Sequence, residues 1–212
     1  MPSREEIEER IAEKLFPAHA EHPLEPAPPL AHIENLNVNE NTREMFVSGE
    51  IEDDFGAWFT RALRYLLAQS HAPITVWLNT PGGDTLSAFT FHDLVRASPA
   101  PITVIATGQV CSAGVLMLAC AHQRLVTEAC ALMVHQGSGE MDGRFGELEA
   151  GMKFYKWVEN HWAMLMARYA TGESRTEAYW LQLCKKNAEW WALGGAAIVA
   201  AGLADGVYNG RG

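Results

Sequence analysis

Three short segments carry residue types that together could cleave an acyl bond. Gly108-Gln109-Val110-Cys111-Ser112-Ala113-Gly114 sets a serine between an apolar run and a helix-forming run. A hydroxyl at such a junction sits at the positive end of a helix, and the N–H of Ala113 points toward whatever Ser112 attacks. Taken alone, the segment more often marks a serine that merely caps a helix. Asn79-Thr80-Pro81-Gly82-Gly83-Asp84 follows a second apolar run. Its paired glycines let the backbone turn sharply and present N–H groups, as an oxyanion site requires, or as an ordinary turn does. Leu132-Met133-Val134-His135-Gln136-Gly137 ends an apolar run on a histidine. His135 becomes a general base only if the fold brings it to Ser112; otherwise it is a hydrogen-bonded structural residue. The remaining histidines, at positions 19, 22, 32, 71, 92, 122 and 161, show no metal-ligand spacing, so no metal and no cofactor is expected.

The elements that must position these groups are legible as changes of period. Glu44-Met45-Phe46-Val47-Ser48 reads as a strand and residues 53–68 as a helix, with Phe55, Phe59, Leu63 and Leu66 or Leu67 on one face. Residues 74–78 and 102–106 read as strands, 86–97 as a helix, and 108–114 as a turn that opens an apolar helix through residue 121. Residues 124–126 and 131–134 are two more short strands. Strands alternating with helices predict an α/β fold around a largely parallel sheet. From Glu147 to Ala170, Leu148, Met152, Tyr155, Val158, Trp162, Leu165 and Tyr169 recur every three or four residues, predicting a helix longer than a small core needs. Such a helix serves either a core or a contact between subunits. Ahead of the domain, Ser3 and Glu6 form a possible capping box for a helix over residues 4–16, and residues 17–29 are a Pro- and Ala-rich arm. The expected division is an arm at 1–30 and a domain at 31–212.

Composition narrows the classes. The 212 residues suffice for one domain with a real core, at 48% hydrophobic and 20% charged. A net charge of −10 argues against nucleic acid, whose phosphates need clustered Lys and Arg. The N-terminus is polar and acidic, unlike a signal or transit peptide, and no apolar run approaches the roughly 18 residues of a membrane span. Cys111, Cys120, Cys130 and Cys184 form no C-x-x-C pair and are expected to be buried free thiols, consistent with a reducing, cytoplasmic setting.

In their shared order, Pro81-Gly82-Gly83, Gly108-Gln109-x-x-Ser112-x-Gly114 and Met133-Val134-His135-Gln136 resemble the caseinolytic Clp peptidase proteolytic subunit, ClpP. The resemblance runs from about Met45 to Val207, taking in Gly49-x-Ile51-x-Asp53-Asp54 and Gly202-Leu203-Ala204-Asp205. It implies a ClpP/crotonase-like spiral of ββα units with a protruding handle helix at 147–170. It implies Ser112 as nucleophile, His135 as base, and Gly83 and Ala113 as oxyanion-hole amides, acting by acyl-enzyme chemistry. The implied assembly is a heptameric ring, doubled into a closed chamber that admits peptides or unfolded proteins. The 138–144 stretch resembles the strand that lines substrate and helps join rings.

Three departures qualify that picture. The family's acidic triad member falls within Leu183-Cys184-Lys185-Lys186-Asn187-Ala188-Glu189, so the position becomes Lys185, Lys186 or Asn187, none of them a carboxylate. Asn187 is the expected orienting group for His135, with Glu189 as a nearby substitute and a Ser–Lys dyad as a third arrangement. The arm at 1–30 is unlike the family's axial loops, which puts docking to an AAA+ unfoldase in doubt. The interval between Ser112 and His135 is slightly shortened, as a trimmed turn near Gln123 would explain. The alternatives are a catalytically weak or silent ring subunit, a phage-type head-maturation peptidase, and a crotonase-type acyl-CoA enzyme, which would not need the Ser112–His135 pair.

Overall fold

Along Ile74-Thr75-Val76-Trp77-Leu78, Ile74, Val76 and Leu78 are sealed from solvent while Thr75 and Trp77 are half-buried. That is the period-two pattern of a strand with one face fully covered. The computed structural model describes residues 37–172, 176–186 and 189–210; the expected helix at 4–16 and the arm lie outside them. The strands are β1 (Val38–Asn39), β2 (Glu44–Ser48), β3 (Ile74–Thr80), β4 (Ile102–Cys111), β5 (Gln123–Val126), β6 (Ala131–Val134), β7 (Trp190–Leu193) and β8 (Gly206–Val207). The helices are α1 (Phe55–Gln69), α2 (Thr85–Ala97), α3 (Ala113–Ala119), α4 (Phe145–Tyr169), α5 (Glu177–Lys186) and α6 (Gly195–Ala200).

The sheet runs β1-β2-β3-β4-β5-β8, with β6 on β4 and β7 on β6. Its pairs are parallel except β1–β2 and β6–β7, in line with the largely parallel sheet expected. β4 does the organising. Thr103–Ala106 of β4 pairs with β5, whereas Gln109–Cys111 pairs with β6. Between these halves Gly108 takes φ +58 and bends the strand. A turn was expected over residues 108–114. Instead the strand continues to Cys111, because its backbone groups find a second partner in β6 rather than solvent.

Helices cover the sheet with apolar faces. α1 buries Phe55, Phe59, Ala62, Leu63 and Leu66, and Phe59 meets Phe91 of α2 with ring centroids 4.4 Å apart. All residues of α3 are buried. Each of Leu116, Met117 and Leu118 thereby contributes about 1.5–3 kcal/mol of apolar burial. The long helix, whose periodicity left a core or an intersubunit role open, is the exception. α4 has 25 residues but buries only Trp162, Ala163, Leu165 and Met166. Toward its N-terminus Phe145 is 93% exposed, and Met152, Phe154, Tyr155 and Trp157 are exposed too.

Residues 138–144 correct the sequence reading, for they form no strand. Gly137, Gly139 and Gly143 weaken any extended preference, and among the described residues no neighbouring edge supplies ladder hydrogen bonds. The segment instead lies along α4. Gly139 faces the Tyr155 ring, and Met141 packs so close to Gly151 that a Cβ there would meet its Cε at 2.9 Å.

One polar anchor ties the C-terminal elements to the sheet. Arg124 of β5 is buried; its Nε donates to Asp205 Oδ1 at 3.0 Å, and one guanidinium NH2 also pairs with that carboxylate. Its other NH2 donates to the Tyr169 carbonyl at 2.9 Å, holding the end of α4. Burial by itself would raise the Asp205 carboxyl, but the hydrogen bonds from Arg124 outweigh it and lower the pKa. Asp205 therefore stabilises the fold above its unfolded pKa of about 4, and that contribution fades as pH falls through the depressed folded value. Arg124→Met is expected to cost about 2–4 kcal/mol in urea unfolding at pH 7. The gap to wild type should narrow as pH falls below about 4 and through the depressed folded value, where Asp205 becomes protonated in the wild type as well.

Candidate active site

Ser112 occupies the single residue between β4 and α3, with φ 54 and ψ −122. A left-handed φ on a non-glycine residue is costly and survives only where its surroundings hold it. Three contacts do so. The Ser112 N–H donates to the Met133 carbonyl at 2.8 Å, locking the elbow to β6. Gly82 passes so near that a Cβ there would lie 2.6 Å from Ser112 Cβ and 2.7 Å from the Cys111 carbonyl. Gly114 packs on Thr80, where a Cβ would sit 2.4 Å from Thr80 Cγ2. The Gly82 … Ser112-x-Gly114 pattern is thus a packing requirement for raising the hydroxyl above the sheet.

His135 follows the last residue of β6, and the pairing of β6 with the tail of β4 carries it to the elbow. Its Nε2 lies 2.8 Å from Ser112 Oγ. With the ring proton on Nδ1, the hydroxyl donates to Nε2, the arrangement from which a base removes the serine proton. The adjoining thiol of Cys111 is a poorer nucleophile, since burial raises its pKa and the charge of Glu189 adds to the effect. All four cysteines are free and buried, as expected.

The glycine turn supplies a second wall. Ile51 donates its N–H to the Gly82 carbonyl at 2.8 Å and accepts from the Asp84 N–H. In this parallel bridge Gly83 presents its own N–H on the side away from Ile51. Ala113, the first residue of α3, has an N–H with no acceptor in its own helix. Both residues line the same cavity of about 680 Å³ as Ser112 and His135. Two residues of the glycine segment gain positioning roles that sequence reading had not assigned. Thr80 Oγ1 accepts from the Gly82 N–H at 3.0 Å, and Asn79 Oδ1 accepts from the Gln109 N–H at 3.2 Å. Their signal was the polar pair closing an apolar strand just before Pro81.

The third position is only partly described. Asn187 lies outside the described residues, as does the side chain of Lys186; Lys185 is exposed. β7 pairs antiparallel with β6, Met133 opposite Trp191 and Val134 opposite Trp190, and continuing that register puts Glu189 across from His135. The Glu189 carboxylate accepts from Trp191 Nε1 at 3.0 Å. Among the described residues no three His, Cys, Asp or Glu side chains group as a metal site. No helix there is long and apolar enough to cross a membrane.

Comparison with known proteins bears on this arrangement. Residues 32–210 match the family model described as Clp protease. A curated relative, the ATP-dependent Clp protease proteolytic subunit 2 of Gluconobacter oxydans (strain 621H), is 34% identical over 119 residues. That alignment covers 54% of this chain and 52% of the relative, so the chain spans about half the length of the curated relative it matches. Among solved structures, an Asn-to-Asp mutant of ClpP1 from Listeria monocytogenes matches with a TM-score of 0.71. It covers 81% of this chain and 94% of that one at 22% identity, a likeness of fold.

Proposed function

Because the chain belongs to the Clp protease family, we propose that it is a serine endopeptidase subunit that cleaves peptides or unfolded proteins inside a ring-shaped chamber. The observation that carries the reading is the 2.8 Å contact between His135 Nε2 and Ser112 Oγ at a strained elbow. His135 takes the hydroxyl proton as Ser112 Oγ attacks the peptide carbonyl. The oxyanion that forms is held by the amides of Gly83 and Ala113, and His135 returns the proton to the departing amine. Water then enters, is deprotonated by His135, and releases the acyl group. The exposed apolar half of α4 supports assembly through this helix, since monomers rarely leave such a run of aromatic and Met side chains uncovered. A fluorophosphonate probe tests the reading directly. Intact mass spectrometry should show one adduct per subunit, absent from Ser112→Ala. An unlabelled, properly assembled wild-type particle would reject the hydrolase function.

For the group that orients His135 Nδ1, the proposal is Asn187, one of the positions where the resemblance places the third triad member, with Glu189, which accepts from the Trp191 indole, as the substitute. An amide holds the imidazole without stabilising its charged form, so turnover is slower than with a carboxylate. Asn187→Ala is expected to lower kcat about 10- to 100-fold, and Asn187→Asp to raise it. Glu189→Ala should change kcat less than about threefold; the opposite ranking transfers the role to Glu189. A second reading, a weak or silent ring subunit, draws on the absence of a carboxylate from 185–187. It predicts an assembled ring whose peptide cleavage is the same in Ser112→Ala.

A further inference from the structure

The cavity beside Ser112 is walled largely by apolar side chains, among them Leu86, Met152, Val158 and Trp162. Its volume of about 680 Å³ suits several residues of peptide. The wall is interrupted by a half-buried carboxylate, Glu159 on α4. Gln136, the residue after the base, donates its Nε2–H to Glu159 Oε1 at 2.9 Å and so holds the carboxylate on the cavity side of the helix. Cys184 of α5 also faces this cavity, and its thiol is pushed up to about 11, by burial first and by the negative charge of Glu159 second. An ionised carboxylate accepts up to four hydrogen bonds, so one bond from Gln136 leaves most of its capacity open.

Two other charged side chains line the space. Asp84 is committed to capping α2, accepting from the Ser87 N–H at 2.6 Å. Lys156 is exposed and makes no ion pair with Glu159 among the described residues, where α4 pairs Arg144 with Glu147 and Lys153 with Glu149. Glu159 therefore stands half-buried in the cavity wall with acceptor capacity to spare and no ion pair to Lys156 among the described residues. A substrate side chain that satisfies both features has a long hydrocarbon stem and a cationic tip.

We propose that Glu159, held by Gln136, is a specificity-determining residue that favours substrates carrying lysine or arginine immediately before the scissile bond. This rests on the serine-peptidase reading of the same cavity. The stem packs on the apolar part of the cavity lining, and the cation pairs with the Glu159 carboxylate. A half-buried carboxylate in a largely apolar wall selects basic residues because an alkyl side chain leaves its charge unpaired.

The test compares coumarin-releasing peptides that differ only in Lys or Leu before the cleaved bond, on the assembled full-length protein. Wild type should favour Lys in kcat/KM, and Glu159→Gln and Glu159→Leu should each shift the Lys:Leu ratio toward Leu by about tenfold or more. The ratio is the readout, which a general loss of structure would not move. An unchanged ratio in both variants overturns the assignment while leaving the peptidase reading intact. If neither peptide is cleaved and the fluorophosphonate probe fails as well, the peptidase reading falls, and binding decides the specificity. Fluorescein-labelled peptides ending in Lys or Leu are then titrated by anisotropy against the Ser112→Ala protein with and without Glu159→Gln. A Lys preference lost with Glu159 sustains selection of a basic side chain by Glu159 but not its place beside a scissile bond, and equal binding of the two peptides overturns both.

Discussion

Ser112→Ala is expected to lower kcat on a short fluorogenic peptide by about a million-fold, to the level set by binding and the oxyanion amides alone. The fold should be untouched. Alanine keeps the Cβ that Gly82 accommodates, and the elbow is held by backbone contacts, the Ser112 N–H on the Met133 carbonyl among them. Thermal unfolding and particle mass should therefore match wild type. His135→Ala should be nearly as damaging, and the double variant no worse than either single one, because the two side chains act as one unit across their 2.8 Å contact. Additive losses would mean that the imidazole does not serve this hydroxyl. A loss of only a few-fold in Ser112→Ala would remove the nucleophile from the mechanism altogether.

Gly83→Ala comes next in size and acts through the backbone. A Cβ on Gly83 would lie 2.2 Å from the Ile51 carbonyl oxygen and 2.8 Å from its nitrogen, at φ +140. Those atoms belong to the bridge joining the β2–α1 connection to the glycine turn, so no rotamer change relieves the clash. The expected cost is about 3–4 kcal/mol in stability. In whatever protein folds, kcat should fall about 100- to 1000-fold as the Gly83 amide leaves the oxyanion. Gly49→Ala is the matched control. Its φ of +96 is also left-handed, but nothing lies within 4 Å of the added carbon. It should cost about 1 kcal/mol of backbone strain and leave kcat alone. Activity measured per folded molecule, with the folded fraction read from unfolding curves, separates the two effects. Equal kcat in both variants would take Gly83 out of the oxyanion site.

Several elements were legible because local period and tertiary burial agree. β2 and β6 fall where alternation in the sequence puts them, and α4 begins and ends close to the range its three-and-four spacing predicts. The segments that escaped reading are those whose conformation depends on distant partners. β7 consists of Trp190-Trp191-Ala192-Leu193, too short and too uniformly apolar to reveal a period, and it is a strand because β6 offers it an edge. The tail of β4 was read as a turn for the converse reason. Gly108 signals a break, yet β6 arrives to pair with the residues beyond it. Residues 138–144 carry family resemblance to a strand but have no partner edge among the described residues. Glu159 gave no sign in the sequence at all, since its helical position is ordinary and only the cavity distinguishes it.

Sequence alone determined which groups are available for chemistry. A hydroxyl stands at a strand-to-helix junction, an imidazole closes an apolar strand, paired glycines follow another apolar strand, and no carboxylate occupies positions 185–187. Only the tertiary structure decided which of these meet. Ser112 and His135 are brought to 2.8 Å because one bent strand pairs with β5 over its first half and with β6 over its second. Hydrogen-bond pairing between segments far apart in the chain is a property of the whole sheet, and no local window of residues contains it.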